Sequence, residues 1–375
     1  MKKKKAILPI FLVIVAICVI LVGINSDDKN EKKLMDLAQE HIDKNRAEED
    51  RISNLNFYEN ISEQRAVNAL IIGDSIAQSN GSSNADGKWF NLIIKDVQTK
   101  YKAVLTADLI TGGGTTGIRG WVEINNAEFT KIYDIAFICL GQNDQWSVIP
   151  EQFKIFYESI IINLKKKNPN IEIIPIIQSS FREYNDYSNV IVQLSKHYNL
   201  QYADTLHAFN SSVEKYENLT KDVELPNNKG YIYYATTIEE IIHDNFISNK
   251  KTNIKHGPLY DNTSKLTNFT FDISPDLNNG FIIGQGLIGE KISDSLTFNT
   301  NNSVNIIHYL RQPKGGKFKV FMDGNFVKEI DTNSTFQVSY SDLISDNLEG
   351  QHKIKIEISS ILKGQTVKIL GLASN

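Results

Sequence analysis

The chain has 375 residues, with 44 acidic and 40 basic side chains and a formal net charge of −4 at pH 7. Removing the four lysines at Lys2–Lys5 from that balance leaves −8 on the remainder, which excludes a broad basic face and argues against a nucleic-acid partner. The length admits two domains, and hydrophobic and charged fractions of 41% and 22% are those of a globular protein.

The N-terminus reads as a membrane signal. Lys2–Lys5 precede an uncharged apolar run from Ala6 to Ile24, just long enough to cross a bilayer core. The positive flank would stay in the cytoplasm and everything after the run would lie outside. A cleaved signal peptide is the alternative. No small-x-small cleavage site lies near Gly23, and Ile17 before Cys18 does not fit a lipoprotein signal. The expectation is an uncleaved, single-pass signal anchor over residues 1–25. Cys18 falls in this run and Cys139 in an apolar strand, so they cannot pair and the fold is not disulfide-built.

Residues 26–65 are charged and helix-prone, with Leu34, Leu37 and Ile42 at roughly helical spacing, and read as a solvated stalk. From 66 to 250, short apolar runs alternate with helical patterns. The strands are 68–72, 103–110, 135–140, 171–177 and 201–204; the helices are 89–100, 150–167, 187–198 and 231–243. Apolar runs without alternation suit a parallel sheet covered on both faces, so this is a three-layer α/β/α domain. From about Lys265 the pattern changes to short alternating runs at 269–273, 296–299, 304–310, 317–322, 326–330, 336–340, 353–358 and 367–370. Asp323-Gly324-Asn325 is a hairpin signal between two of them. Residues 264–375 therefore read as a β-sandwich of jelly-roll type.

Three of the α/β strands end in loops that carry chemistry. Gly73-Asp74-Ser75-Ile76 follows the first, Gly112-Gly113-Gly114-Thr115-Thr116 the second, and Gly141-Gln142-Asn143-Asp144 the third. Open α/β folds bind ligands at this carboxyl edge. Taken together in this order, the three motifs resemble the SGNH (GDSL) family of ester hydrolases and acyltransferases, across residues 66 to about 245. The resemblance implies a flavodoxin-like parallel sheet. It makes Ser75 the nucleophile, and the N–H groups of Ser75 and Gly113 and the amide of Asn143 the oxyanion donors. Gly114 is a competing alignment for Gly113. Each motif also has a plainer structural use: a helix cap for Ser75, a tight turn for the glycines, an Asn-Asp turn for Asn143.

The family's fourth motif, Asp-x-x-His followed by Pro-Asn, is altered. Here Asp222-Val223-Glu224-Leu225-Pro226-Asn227 places Asp222 at the orienting acid and Leu225 where the family has its histidine. Leucine accepts no proton, so the Ser-His-Asp triad cannot form. Three explanations compete. A histidine from elsewhere serves, His207 being best placed after the last strand, ahead of His197, His243 and His256. A carboxylate, Asp222 or Glu224, acts as a weak base through water. Or catalysis is lost and the pocket binds only. Trp121 and Trp146 follow the second and third motifs and are candidate sugar contacts, whereas Trp89 reads as packing.

The resemblance implies hydrolysis or transfer of an O-acyl group, with acetyl the leading candidate, on a cell-envelope polysaccharide. The β-sandwich would be a carbohydrate-binding module, and the chain a surface protein of a Gram-positive bacterium. A catalytically inactive glycan binder is the alternative, and a lipase a weaker third reading. No metal-ligand spacing or phosphate-binding loop is evident, so neither metal nor cofactor is expected.

Overall fold

The computed structural model describes residues 28–248, 250 and 257–375. The expected membrane anchor and His256 lie outside the described residues, and among the described residues no helix is long and apolar enough to cross a membrane. The chain divides into a unit ending at Leu55 and a second spanning Asn56–Asn375. In the first, α1 (Asp28–Ser53) is a solvated helix: its apolar Met35, Leu37 and Ile42 are exposed. Pairs four residues apart, such as Glu40–Lys44 at 2.7 Å, lie along its surface.

The second unit starts earlier than residue 66. Asn56 caps α2 (Phe57–Ser62) in a reciprocal capping box with Glu59. Phe57, Tyr58 and Ile61 of α2 are fully buried in the α/β core, so this part of the expected stalk belongs to the domain. The sequence could not show this, because one helical turn of buried residues looks like any amphipathic segment.

The α/β sheet has the order β2-β1-β3-β4-β5, all parallel, from β1 (Val67–Gly73), β2 (Leu105–Thr111), β3 (Ile135–Cys139), β4 (Glu172–Ile177) and β5 (Ala203–Asp204). Every residue of β3 and β4 is buried, as the apolar runs Ile135–Cys139 and Ile173–Ile177 require, and Glu172 is buried with them. One face carries α2, α3 (Trp89–Asp96) and a long C-terminal helix. The other carries α4 (Gly117–Asn126), α5 (Asp144–Ser147), α6 (Pro150–Lys167) and α7 (Asp186–His197). The short α8 (Thr205–Asn210) follows β5, and the long helix is α9 (Asn228–Ser248).

The C-terminal region contains β6 (Thr270–Asp272), β7 (Leu277–Asn279), β8 (Ile282–Gly284), β9 (Gly286–Gly289), β10 (Ser295–Thr300), β11 (Asn305–Arg311), β12 (Lys317–Met322), β13 (Asn325–Asp331), β14 (Val338–Ser345), β15 (His352–Ser360) and β16 (Val367–Ser374). They form two antiparallel sheets, β13-β12-β15-β10-β7 and β14-β11-β16-β9-β8 with β6 on β16. Side chains of both sheets, including Phe298, Phe318, Ile356, Ile307 and Ile369, enclose one core, so this is a sandwich. Asp323 and Gly324 both have positive φ, +50° and +84°, as the hairpin signal at β12–β13 demands.

The sandwich is welded to the α/β domain. Val304, Ile306 and Ala373 on the outer face of its second sheet share a core with Ile118, Trp121 and Phe156. That explains why β11 is buried along six consecutive residues rather than on alternate ones. The connecting segment is tied to Glu158 on α6, whose carboxylate is fully buried. Glu158 accepts hydrogen bonds from the Tyr198 hydroxyl (2.6 Å), the Thr263 hydroxyl (2.6 Å) and the backbone N–H groups of Leu259 and Tyr260. Glu158→Ala would strand four donors without water. It is expected to lower unfolding free energy by about 3 kcal/mol or more, read by urea titration, with Glu158→Gln losing less.

Candidate active site

The parallel register decides what meets at the sheet edge. Gly73 of β1 lies level with Thr111 of β2 on one side and Cys139 of β3 on the other. Ser75 and Gly113 are thus two residues beyond one row of the sheet, and Asn143 four residues beyond it. Strands sit about 4.8 Å apart, so the three loops converge at the point where the strand order reverses direction.

Asp74, fully buried beside Ser75, ties these loops together. Its Oδ1 accepts the Ile76 N–H at 2.8 Å and the Ala77 N–H at 3.3 Å, which shapes the turn that carries Ser75. Gln178, just past β4, donates its amide to both carboxylate oxygens at 3.1 and 3.0 Å. Asn143 Nδ2 donates to Asp74 Oδ2 and to the Thr115 carbonyl, both at 3.2 Å. Burial pushes the Asp74 carboxyl up to about 6, against the pull of these hydrogen bonds. Asp144 is also fully buried; its Oδ1 accepts the Gly117 N–H at 2.8 Å, and its Oδ2 has no partner among the described residues. Burial first, and the charge of Asp74 after it, push Asp144 up to about 7.

Ser75 is half-buried. Its N–H, and those of Gly113 and Gly114, have no hydrogen-bond partner among the described residues. Free, oriented amides beside a serine hydroxyl are what an oxyanion requires. The Asn143 amide differs: its nitrogen already serves Asp74 and Thr115, so it must exchange a partner before it can donate to substrate. The glycines of the second loop have steric reasons to be there. A Cβ on Gly112 would stand 2.5 Å from the Arg119 guanidinium. On Gly114, at φ +73°, it would stand 2.2 Å from the Tyr340 hydroxyl.

The fourth motif docks beside the serine turn. A Cβ on Gly81 would stand 3.1 Å from Leu225 Cβ and 1.9 Å from the Pro226 carbonyl oxygen, so the two loops touch. Asn228 clamps the same loop through Ser82 and Ser83. Leu225 packs half-buried against the core of this face. Asp222 is exposed, and its Oδ1 accepts the N–H groups of Glu224 and Leu225, so it closes its own turn.

No histidine hydrogen-bonds the Ser75 hydroxyl among the described residues. His207, expected as the substitute base, is not brought to Ser75. It is exposed on α8 and meets Ser211 at 3.3 Å. Its strand, β5, lies three spacings from β1, on the order of 14 Å at the edge. His197 contacts the Gly257 carbonyl and His243 the Tyr101 hydroxyl. Trp121 must also be corrected: it is 0% exposed, packed on Phe156 and Phe269, with its N–H on Ser159. It faces the sandwich and offers no ring to a sugar. Trp146 on α5 is 75% exposed, beside Asn143. Sequence reasoning overlooked Gln178, although a polar residue directly after an apolar strand at this edge was the available signal.

The parallel sheet and the motifs at its carboxyl edge are those of the SGNH type. Residues 71–231 match the model of the GDSL-like Lipase/Acylhydrolase family. No curated protein matches the chain. Among solved structures, a two-domain esterase (CEX) active on acetylated mannans, co-crystallized with mannopentaose, is 16% identical with a TM-score of 0.70. The match covers 84% of this chain and 92% of that one. Another structure of a two-domain esterase (CEX) active on acetylated mannans gives 17% and 0.71 over the same shares. Axe2, an acetylxylan esterase from Geobacillus stearothermophilus, is 18% identical over 48% of this chain and 94% of that one, with a TM-score of 0.40. The likeness to the two-domain structures extends over both the α/β and the β region of this chain.

The raised carboxyls give a pH signature. Both Asp74 and Asp144 hold protons in the folded state that the unfolded chain releases. Their contribution to stability therefore falls as pH rises from about 4 to about 7 and is flat above. Asp144→Asn keeps the acceptor for Gly117 and removes the ionisation. Urea unfolding at pH 5 and pH 8 is expected to show the variant gaining on the wild type at the higher pH; a constant difference would contradict a raised Asp144.

Proposed function

We propose that this chain cleaves or transfers O-acyl groups, acetyl foremost, on a cell-envelope polysaccharide, and that it does so outside the cell, anchored by its N-terminal apolar run. The observation that carries the catalytic part is that the loops bearing Ser75 and Gly113, whose N–H groups are unpartnered among the described residues, leave adjacent strands in register at the switch point of the sheet. The similar two-domain esterase acts on acetylated mannans, which supports a glycan ester as substrate. The exposed Trp146 ring beside Asn143 supports a sugar as the group that carries it.

In this reading Ser75 Oγ attacks the acyl carbonyl. The carbonyl oxygen becomes an oxyanion on the Ser75 and Gly113 N–H groups, and the sugar oxygen leaves with a proton. Water, or a second hydroxyl in transfer, then takes the acyl group from Ser75. Leu225 can accept no proton, so the Ser75 proton passes to solvent. Turnover is expected to lie about 10⁴- to 10⁶-fold below that of a complete triad. The second reading, a glycan-binding protein with a disarmed pocket, is favoured by Leu225 alone.

Intact-mass analysis of the chain after exposure to a fluorophosphonate separates the two, with Ser75→Ala as control. Ser75-dependent labelling of the wild type supports the enzyme. A silent wild type that labels once Leu225→His is introduced supports the disarmed binder. Silence in both would sink the catalytic reading of Ser75.

A further inference from the structure

The Gly112–Gly114 loop is held by a chain of contacts that begins in the β-sandwich. Arg119 Nη1 donates to the Gly113 carbonyl at 3.1 Å, and Arg119 Nε donates to Glu123 Oε1 at 2.8 Å. The same Oε1 accepts the hydroxyl of Ser339, on β14, at 2.8 Å. We propose that Ser339 is a positioning residue of the active site, aligning the oxyanion loop through Glu123 and Arg119. The inference rests on the reading of that loop as an oxyanion donor.

The peptide geometry gives the chain of contacts its consequence. In a trans peptide the C=O and the following N–H point in opposite directions, so fixing one aims the other. The Gly112 carbonyl is held by Thr115, through N–H at 3.2 Å and hydroxyl at 2.8 Å, which aims the Gly113 N–H. The Gly113 carbonyl is held by Arg119, which aims the Gly114 N–H and pins Gly113 from its other side. Gly113 has no side chain to restrain it, so these two anchors set its conformation. Thr115 is local; Arg119 depends on its carboxylate.

Arg119 is 5% exposed and Glu123 20%. A cation buried to that degree needs its carboxylate in good geometry to repay the loss of water, and its rigid fork follows where that carboxylate is placed. Ser339 fixes that geometry by holding the same oxygen from the opposite domain. The neighbouring residue on β14, Tyr340, closes the loop from above, its hydroxyl filling the space of a Gly114 side chain. His308 on β11 faces the same ion pair. Burial holds it down to about 4, with Glu123 pulling it up and Arg119 pushing it down, so at neutral pH it adds no competing cation.

The test uses the full chain carrying Leu225→His, with p-nitrophenyl acetate as substrate. Ser339→Ala and Glu123→Gln are expected to lower kcat about tenfold with KM within about twofold, a fraction of the 10²–10³ lost when an oxyanion donor is removed. Ser339→Thr, which keeps the hydroxyl, is expected to restore kcat. A second arm needs no activity: amide hydrogen exchange in the wild-type background. Ser339→Ala should speed exchange at Gly112 and Thr115, whose N–H groups bond Gly73 and Gly112. Unchanged kcat and unchanged exchange overturn the proposal, as does a fall in kcat that Ser339→Thr fails to restore. If the Leu225→His chain neither hydrolyses nor labels, the functional reading fails, while the exchange arm still decides whether Ser339 holds the loop.

Discussion

The site depends on one buried carboxylate. Asp74 follows β1 and precedes Ser75, has no exposure to water, and gathers donors from three strand ends: its own turn, Asn143 after β3 and Gln178 after β4. A charge in that position is costly unless every lone pair is used. The arrangement meets that demand with amides alone, and no cation is among its partners. The loops cannot move independently, because each supplies part of the solvation that Asp74 needs. Where Ser75 points, and where Asn143 sits relative to it, follow from satisfying this group.

The same economy operates at Glu158, where a second buried carboxylate binds a different seam. Four donors from the connecting segment and α7's end converge on it, so the β-sandwich is attached through a polar knot as well as an apolar face. The consequence reaches the catalytic edge. The sandwich is docked firmly enough for Ser339 and Tyr340 to take up fixed places around the second loop. A domain on a loose tether could not hold an arginine network to hydrogen-bond distance.

Leu225 stands where the resemblance to the family expects a histidine. The Asp222–Asn227 loop meets the serine turn, Asn228 clamps that turn, and Leu225 makes apolar contacts. Asp222 turns its carboxylate onto its own backbone. The N–H groups of Ser75 and Gly113 are without partners among the described residues, while position 225 offers only an alkyl chain.

Much of this was legible along the chain, for local reasons. Unbroken apolar runs determined the parallel strands, the Pro150–Lys167 helix matched its pattern, and Asp323-Gly324 specified a turn that needs positive φ. Ser75, Gly113 and Asn143 were readable as sheet-edge positions because each lies a few residues past a strand end. What only the tertiary structure decided concerns contacts between segments far apart in sequence. Trp121 resembled a loop aromatic and proved to be the seam between domains; His207 looked available and lies three strands away; α2 looked like stalk and is core. Asp74 acquired Gln178 across 104 residues, and Glu123 acquired Ser339 across 216. Sequence patterns encode periodicity and turn chemistry, which act over a few residues. Partnership depends on register and docking, which are settled only when the buried surfaces close.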